Sequence, residues 1–203
     1  GSHHAIHDLA AIRPMEGMTV LLPADAAQTA WMVREAAKID GPCYLRMGRN
    51  SVEDLDSEAE IKTFHLGRAH KLLEGSDLTI IAAGEMVYHA KCAAELLARE
   101  GIRARLLDMH TVKPLDEDAV IAAAAETGCL LTVEQHGVYG GLGGAVAETV
   151  AQRLPVPMRI LGIPDEHVIA GESAEVFAHY GLDGAGIAGA ARELVRQRAR
   201  IAG

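Results

Sequence analysis

A chain of 203 residues, 49% of them hydrophobic, can bury the core of one large or two small domains. Its 19 Lys plus Arg against 28 Asp plus Glu give a formal charge of −9, which argues against nucleic acid and anionic membranes as partners. No apolar run approaches the ~18 residues of a bilayer span, and no charged-then-apolar leader opens the sequence.

Aromatics make up only 3% of the chain, which favours close packing of helices on sheets over an aromatic-rich binding surface. Cys43, Cys92 and Cys129 are scattered without CxxC spacing, so the chain reads as reduced and cytoplasmic. Each reads as a small buried apolar residue rather than a nucleophile.

His3, His4 and His7 precede a short helical stretch, Ala5 to Ile12. Met18 to Leu22 is a short apolar run ended by Pro23. Asp25 then caps a helix predicted over Ala26 to Ile39, with Ala30, Val33 and Ala37 on its apolar face beside Trp31 and Ala36. Asp40-Gly41-Pro42 breaks it, and Cys43 to Met47 reads as a strand running out into Gly48-Arg49-Asn50. Ser51 to Lys62 is acidic and poor in large apolar groups, and reads as a linker.

The alternation then resumes. Strands are expected over His65–Leu73, Leu78–Ala83, Ile102–Leu107, Cys129–Val133 and Met158–Leu161. Helices are expected over Met86–Arg99, from Leu115 to about Glu126, Leu142–Arg153, Ala174–Tyr180 and Ala185–Arg200. Alternating strands and helices with apolar strands predict an α/β fold whose largely parallel sheet is covered on both faces. The mixed polar pattern of 65–73 suits an antiparallel edge strand.

Ligands of parallel sheets meet the carboxyl ends of strands. Arg46 and Arg49 stand at such an end and could present planar donors to one phosphate or carboxylate; they could equally be surface arginines. The N-terminal histidines suit proton transfer near neutral pH, and Gly1-Ser2-His3 also resembles the remnant of a purification tag. The glycines of Gly137–Gly144 could cradle a phosphate or simply serve tight turning and close helix packing. Glu134 at that strand end reads as a helix-contacting or interface carboxylate. The remaining histidines, His65, His70, His89, His110, His167 and His179, show no HxxxH or HExxH spacing, so no protein-built metal site is indicated.

Taken in order, several strings resemble the transketolase family of thiamine-diphosphate enzymes. They are Ser2-His3-His4-Ala5-Ile6-His7-Asp8-Leu9-Ala10, Gly17-Met18-Thr19-Val20, Pro23-Ala24-Asp25-Ala26 and Tyr44-Leu45-Arg46-Met47-Gly48-Arg49-Asn50. Further along come Lys113-Pro114-Leu115-Asp116, Thr132-Val133-Glu134-Gln135-His136, Gly162-Ile163-Pro164-Asp165 and Gly181-Leu182-Asp183-Gly184-Ala185-Gly186-Ile187. The set runs over essentially the whole chain, and its ordered spacing makes Ser2 through Ala10 read as native sequence.

The resemblance implies that residues 1–50 are the C-terminal part of a pyrimidine-binding domain. Residues 51–63 would be a linker, and 64–203 a C-terminal domain with a five-stranded, mostly parallel sheet flanked by helices. His3 would be the active-site histidine near the reacting carbon and oxygens, and Arg49, with Arg46 beside it, would grip a sugar phosphate. Family members usually carry Thr at position 2, Gln at 4 and Glu or Phe at 7, so Ser2, His4 and His7 depart from the pattern and leave substrate choice open.

Nothing resembles the GDG…N segment that holds metal and diphosphate. Cofactor residues are therefore expected upstream of Gly1. The implied function is the C-terminal section or small subunit of a two-carbon ketol transferase acting on sugar phosphates. It would use thiamine diphosphate and Mg2+ or Ca2+ in the full enzyme, with neither expected on this chain alone, which is expected to be inactive in isolation. The implied partners are N-terminal domains or a large subunit, and a second copy in a homodimer. The C-terminal section of 1-deoxyxylulose-5-phosphate synthase and the beta chain of a 2-oxo-acid dehydrogenase are same-superfamily alternatives. A non-catalytic dimerisation or ligand-binding domain is an alternative of another class, supported only by the Gly137–Gly144 turn.

Overall fold

The computed structural model describes residues 5–48, 52–55 and 61–202. In chain order the elements are α1 (Asp8–Ile12), β1 (Thr19–Leu21), α2 (Ala26–Ala36), β2 (Cys43–Leu45), β3 (His70–Leu73), β4 (Leu78–Ala82), α3 (Met86–Arg99) and β5 (Ala104–Asp108). They continue with β6 (Thr111–Lys113), α4 (Glu117–Thr127), β7 (Leu130–Gly137), α5 (Leu142–Arg153), β8 (Met158–Ile163), α6 (Ser173–Tyr180) and α7 (Gly184–Ala202).

The central strand β4 is buried at every position. Its alternate side chains feed two cores, as the pleat requires. Leu78, Ile80 and Ala82 join α3 residues such as Ala90 and Leu97 and α7 residues such as Ala191 and Leu194. Ile81 faces the other way, into a core with Val120 and Ala124 of α4 and Val146 and Val150 of α5. Thr79, the one polar residue of β4, is buried and shares a 2.9 Å hydroxyl contact with Thr127.

These strands form a five-stranded sheet in the order β3-β5-β4-β7-β8. The pairs β4–β5, β4–β7 and β7–β8 are parallel. The edge strand β3 is antiparallel to β5, in keeping with its mixed pattern, but it starts at His70 rather than His65.

A second sheet of three strands has the order β2-β1-β6. Strand β6 is marked by no period in the sequence. It pairs antiparallel with β1, Val20 against Lys113 and Leu21 against Thr111, and so the sheet of the N-terminal region is completed by a strand from beyond residue 100. Leu9, Val20 and Leu22 of that region are buried in the same core as Ile81 and Val146. The two halves therefore share a core.

Helix α2 begins at Ala26 with the Asp25 side chain accepting from Gln28 N, as its cap position dictates. It ends at Ala36, not Ile39. Lys38 N donates to Glu35 O and Ile39 N to Ala36 O, short-range bonds that tighten the chain out of the helix. The expected apolar face is also corrected. Gln28 and Met32 are the buried residues, whereas Val33 is 50% exposed. Gln28 is buried because it is satisfied: its amide nitrogen donates to Asp108 Oδ2 and its amide oxygen accepts from Ala24 N.

Of the cysteines, Cys129 is buried, while Cys43 and Cys92 are half-buried, and none is in a disulfide. Among the described residues no helix is long and apolar enough to cross a membrane.

Candidate active-site cleft

Strand β7 runs four residues further than its apolar run suggests, to Gly137. The residues that disguise it, Glu134 and His136, are polar yet buried. Each has a partner outside the strand. Leu142 N and Gly143 N donate to the Glu134 carboxylate at 2.7 and 2.8 Å, which caps the start of α5. Burial outweighs these two bonds and raises the Glu134 carboxyl to about 7.

The glycine cluster after β7 makes this packing possible. A Cβ on Gly141 would overlap Glu134 Oε2, and one on Gly143 would overlap Ile160. Gly140 holds a left-handed φ of 75° with its Cβ position 2.8 Å from Ala10. Of the two readings of this turn, close packing is therefore the one observed. The helix N-terminus that could have held a phosphate is filled by the chain's own carboxylate.

His136 links β7 to the N-terminal segment. Its Nδ1–H donates to Gly137 O at 2.7 Å, which leaves Nε2 to accept from Ala10 N at 3.4 Å. Burial pushes its pKa down, consistent with this neutral form. Gly137 N donates to Ile6 O at 2.8 Å, so residues 6–10 lie against the carboxyl end of β7.

Arg46 stands where β2 ends and commits its donors to two other segments. Its Nε donates to Asp8 Oδ2 at 2.9 Å, and its Nη2 to Ala5 O at 3.0 Å and Gln135 O at 2.8 Å. Its Nη1 reaches Gln135 Oε1 at 3.4 Å. The Tyr44 hydroxyl donates to the same Asp8 oxygen at 2.7 Å, and burial together with this bond pushes the Tyr44 hydroxyl up to about 12. Arg46 and Asp8 are only 16% and 13% exposed, so this ion pair is shielded from water and salt.

Around these groups opens a cleft of about 400 Å³. Ala5, Ile6 and Asp8 line it from one segment, Tyr44 to Gly48 from another, and Gln135, Ile163 and Phe177 from the five-stranded body. Glu85, at the turn after β4, is on its wall. It is 8% exposed and its Oε1 has no hydrogen-bond partner among the described residues. Burial raises its pKa, against the pull of the Arg46 charge.

Of the site residues expected from sequence, only Arg46 falls within the described residues; His3 and Arg49 lie outside them. What the structure shows is that the segments leading from His3 and to Arg49 meet at this cleft, through Ala5 and Gly48. Asp8, Tyr44, Gln135, Glu85 and His136 are not among the residues expected there. Buried polar positions near a strand end are the available signal, and Glu134-Gln135-His136 displays it.

The resemblance implies thiamine diphosphate and a metal ion in the full enzyme. No group of three or more His, Cys, Asp or Glu among the described residues could hold a metal ion. The glycine-rich helix start is occupied by Glu134.

A mostly parallel sheet, with a short α/β region docked on the carboxyl ends of its strands around one polar cleft, defines an enzyme-type α/β section. The chain matches the transketolase C-terminal domain over residues 67–187 and the transketolase pyrimidine-binding domain over residues 1–54. It belongs to the transketolase family. It is 50% identical over 97% of its length to one of the subunits of the apulose-4-phosphate transketolase of Phocaeicola vulgatus. It is 40% identical over 98% of its length to the 6-deoxy-6-sulfo-D-fructose transketolase subunit SqwH of a Clostridium species. The chain covers 62% and 61% of those two relatives. A solved structure described as a split gene transketolase in an inactive beta4 tetramer superposes with a TM-score of 0.90 at 41% identity. That match takes in 97% of this chain and 64% of the other.

Proposed function

We propose that this chain is the C-terminal section of a transketolase that works as a small subunit with a larger partner carrying the remaining thiamine-binding residues. The reaction is transfer of a two-carbon ketol unit between sugars bearing a terminal anion. One observation carries the reading: the residues after His3 and the residues before Arg49 line the same cleft at the carboxyl ends of the strands. Within it, His3 takes part in proton transfer at the reacting oxygens and Arg49 holds the terminal anion.

The named substrates of the two relatives, a sugar 4-phosphate and a 6-sulfo sugar, both end in an oxyanion. Arginine suits either group, because its planar fork of donors pairs with two oxygens at once. The assembly binds thiamine diphosphate and a divalent metal on the partner's side and forms around two copies of this chain in the cytoplasm.

The test is an assay of ketol transfer to an aldose acceptor from apulose 4-phosphate and from xylulose 5-phosphate, with thiamine diphosphate and Mg2+ present. The chain alone is expected to give no product; together with its larger partner it gives turnover. Product formed by the pure chain, or no product from the assembly, overturns the reading. Condensation of pyruvate with glyceraldehyde 3-phosphate by the assembly would replace it with the deoxyxylulose-phosphate synthase alternative.

A further inference from the structure

Three segments must hold a fixed geometry for the proposed site to work. One follows His3, one precedes Arg49, and one is the end of β7. They are far apart in sequence, and one side chain touches all three. Arg46 donates to Ala5 O, two residues after His3, and its own backbone leads to Arg49 three residues later. It also donates to Gln135 O in β7. Its counter-charge, Asp8, lies on α1 and is gripped a second time by Tyr44 in β2.

The Arg46 donors are thus spent on the protein. Four of the five N–H groups of a guanidinium suffice for the bonds to Asp8, Ala5 and the two oxygens of Gln135. With its charge already paired and largely buried, Arg46 is poorly placed to serve as a second phosphate hand. It is well placed to fix the end of β2, from which the chain leads on toward Arg49.

We propose that Asp8 and Arg46 are positioning residues: their ion pair, braced by Tyr44, fixes the spacing between the His3 segment and the Arg49 segment and thereby sets selectivity for substrates with a terminal anion. The proposal rests on the transketolase reading. It departs from the family-derived expectation that Arg46 itself grips phosphate. A positioning pair acts on the phosphorylated substrate through Arg49. Were Arg46 itself the phosphate ligand, removing its Asp8 counter-charge would free its donors and lower, rather than raise, the KM for the phosphorylated substrate.

The test uses the full assembly with its larger partner. Initial rates are measured with xylulose 5-phosphate and with xylulose as donors, for the wild type, Asp8→Asn and Tyr44→Phe. In Asp8→Asn the KM for xylulose 5-phosphate is expected to rise about tenfold, while kcat/KM for xylulose, which feels only the loosened His3 segment, falls about threefold. Tyr44→Phe removes a single hydroxyl, so it keeps the fold if Asp8→Asn does not, and it is expected to shift the same ratio by about threefold. An equal loss with both donors, or no change with either, overturns the proposal alone. No transfer by the wild-type assembly overturns the transketolase reading and this proposal with it.

Discussion

The two regions of the molecule are stabilised in different ways. In the five-stranded body, β4 and β5 are buried at every residue and lie between helices on both faces. In the N-terminal region, β2 is only half-buried at all three positions and lies at the edge of its sheet. The body is held by apolar area, which is non-directional and roughly additive. The N-terminal region shares part of that area through Leu9, Val20 and Leu22 and is tied down further by named polar contacts. Arg13 donates to Gly140 O and pairs both oxygens of Glu148, Lys113 reaches two carbonyls, and Arg46 pairs with Asp8. A region fixed by a few directional bonds can be placed accurately and released locally, which suits the lining of a cleft.

The largest loss is expected where the two regions lean on one packed turn. Gly141→Ala would drive a methyl group into Glu134 Oε2. The carboxylate would have to leave Leu142 N and Gly143 N, stranding buried polar groups at the start of α5. The expected cost is about 3 kcal/mol, combining overpacking with lost hydrogen bonds. Urea unfolding should show a lower midpoint for the whole chain, since α1 rests on the same turn through Arg13 and Gly140. An unchanged midpoint would mean that the turn opens without penalty.

A gentler cut should separate the two regions. Lys113 in β6 donates through Nζ to Arg13 O and Met15 O at 2.9 and 2.6 Å, closing the turn after α1. In Lys113→Ala both carbonyls lose a charged donor, at a cost of about 1.5 kcal/mol. Amide hydrogen exchange should quicken about tenfold over residues 9–21, while β4 and β5 keep their protection. Equal quickening in both regions would show that the shared core, rather than these bonds, couples them.

The contrast also explains what can be read in the sequence. The body is legible because its elements are long and one-sided: Met86–Arg99 and Leu142–Arg153 fall where their apolar spacing puts them. Strand β6 is not, because three residues before a proline carry no period, and its partner β1 lies some ninety positions away. The apolar face of α2 is misjudged from sequence because Gln28 is buried by partners, Ala24 and Asp108, that no local pattern reveals. The same holds for the cleft. Arg46 at a strand end marks the place, yet its role depends on Asp8 and Gln135, which only the fold brings to it.

The smallest expected effect is a gain, and it concerns the seam between the regions. Glu85 comes from the body, but its carboxylate meets the N-terminal region: a Cβ on Gly48 would lie 3.3 Å from Glu85 Oε2. Its Oε1 is buried without a partner among the described residues, and burial raises its pKa. A carboxyl whose folded pKa exceeds its unfolded one favours folding most below the unfolded value of ~4.3, and that advantage is lost as pH rises through the folded value. Above that range the native state carries a desolvated charge. Glu85→Gln mimics the protonated form at every pH. The variant should therefore match the wild type near pH 4 and be slightly more stable than it at pH 8, read as a higher urea midpoint. If Glu85→Gln is instead less stable at pH 8, the ionised carboxylate is being held by a donor in the seam, and the N-terminal region would owe part of its placement to Glu85 as well as to Arg46.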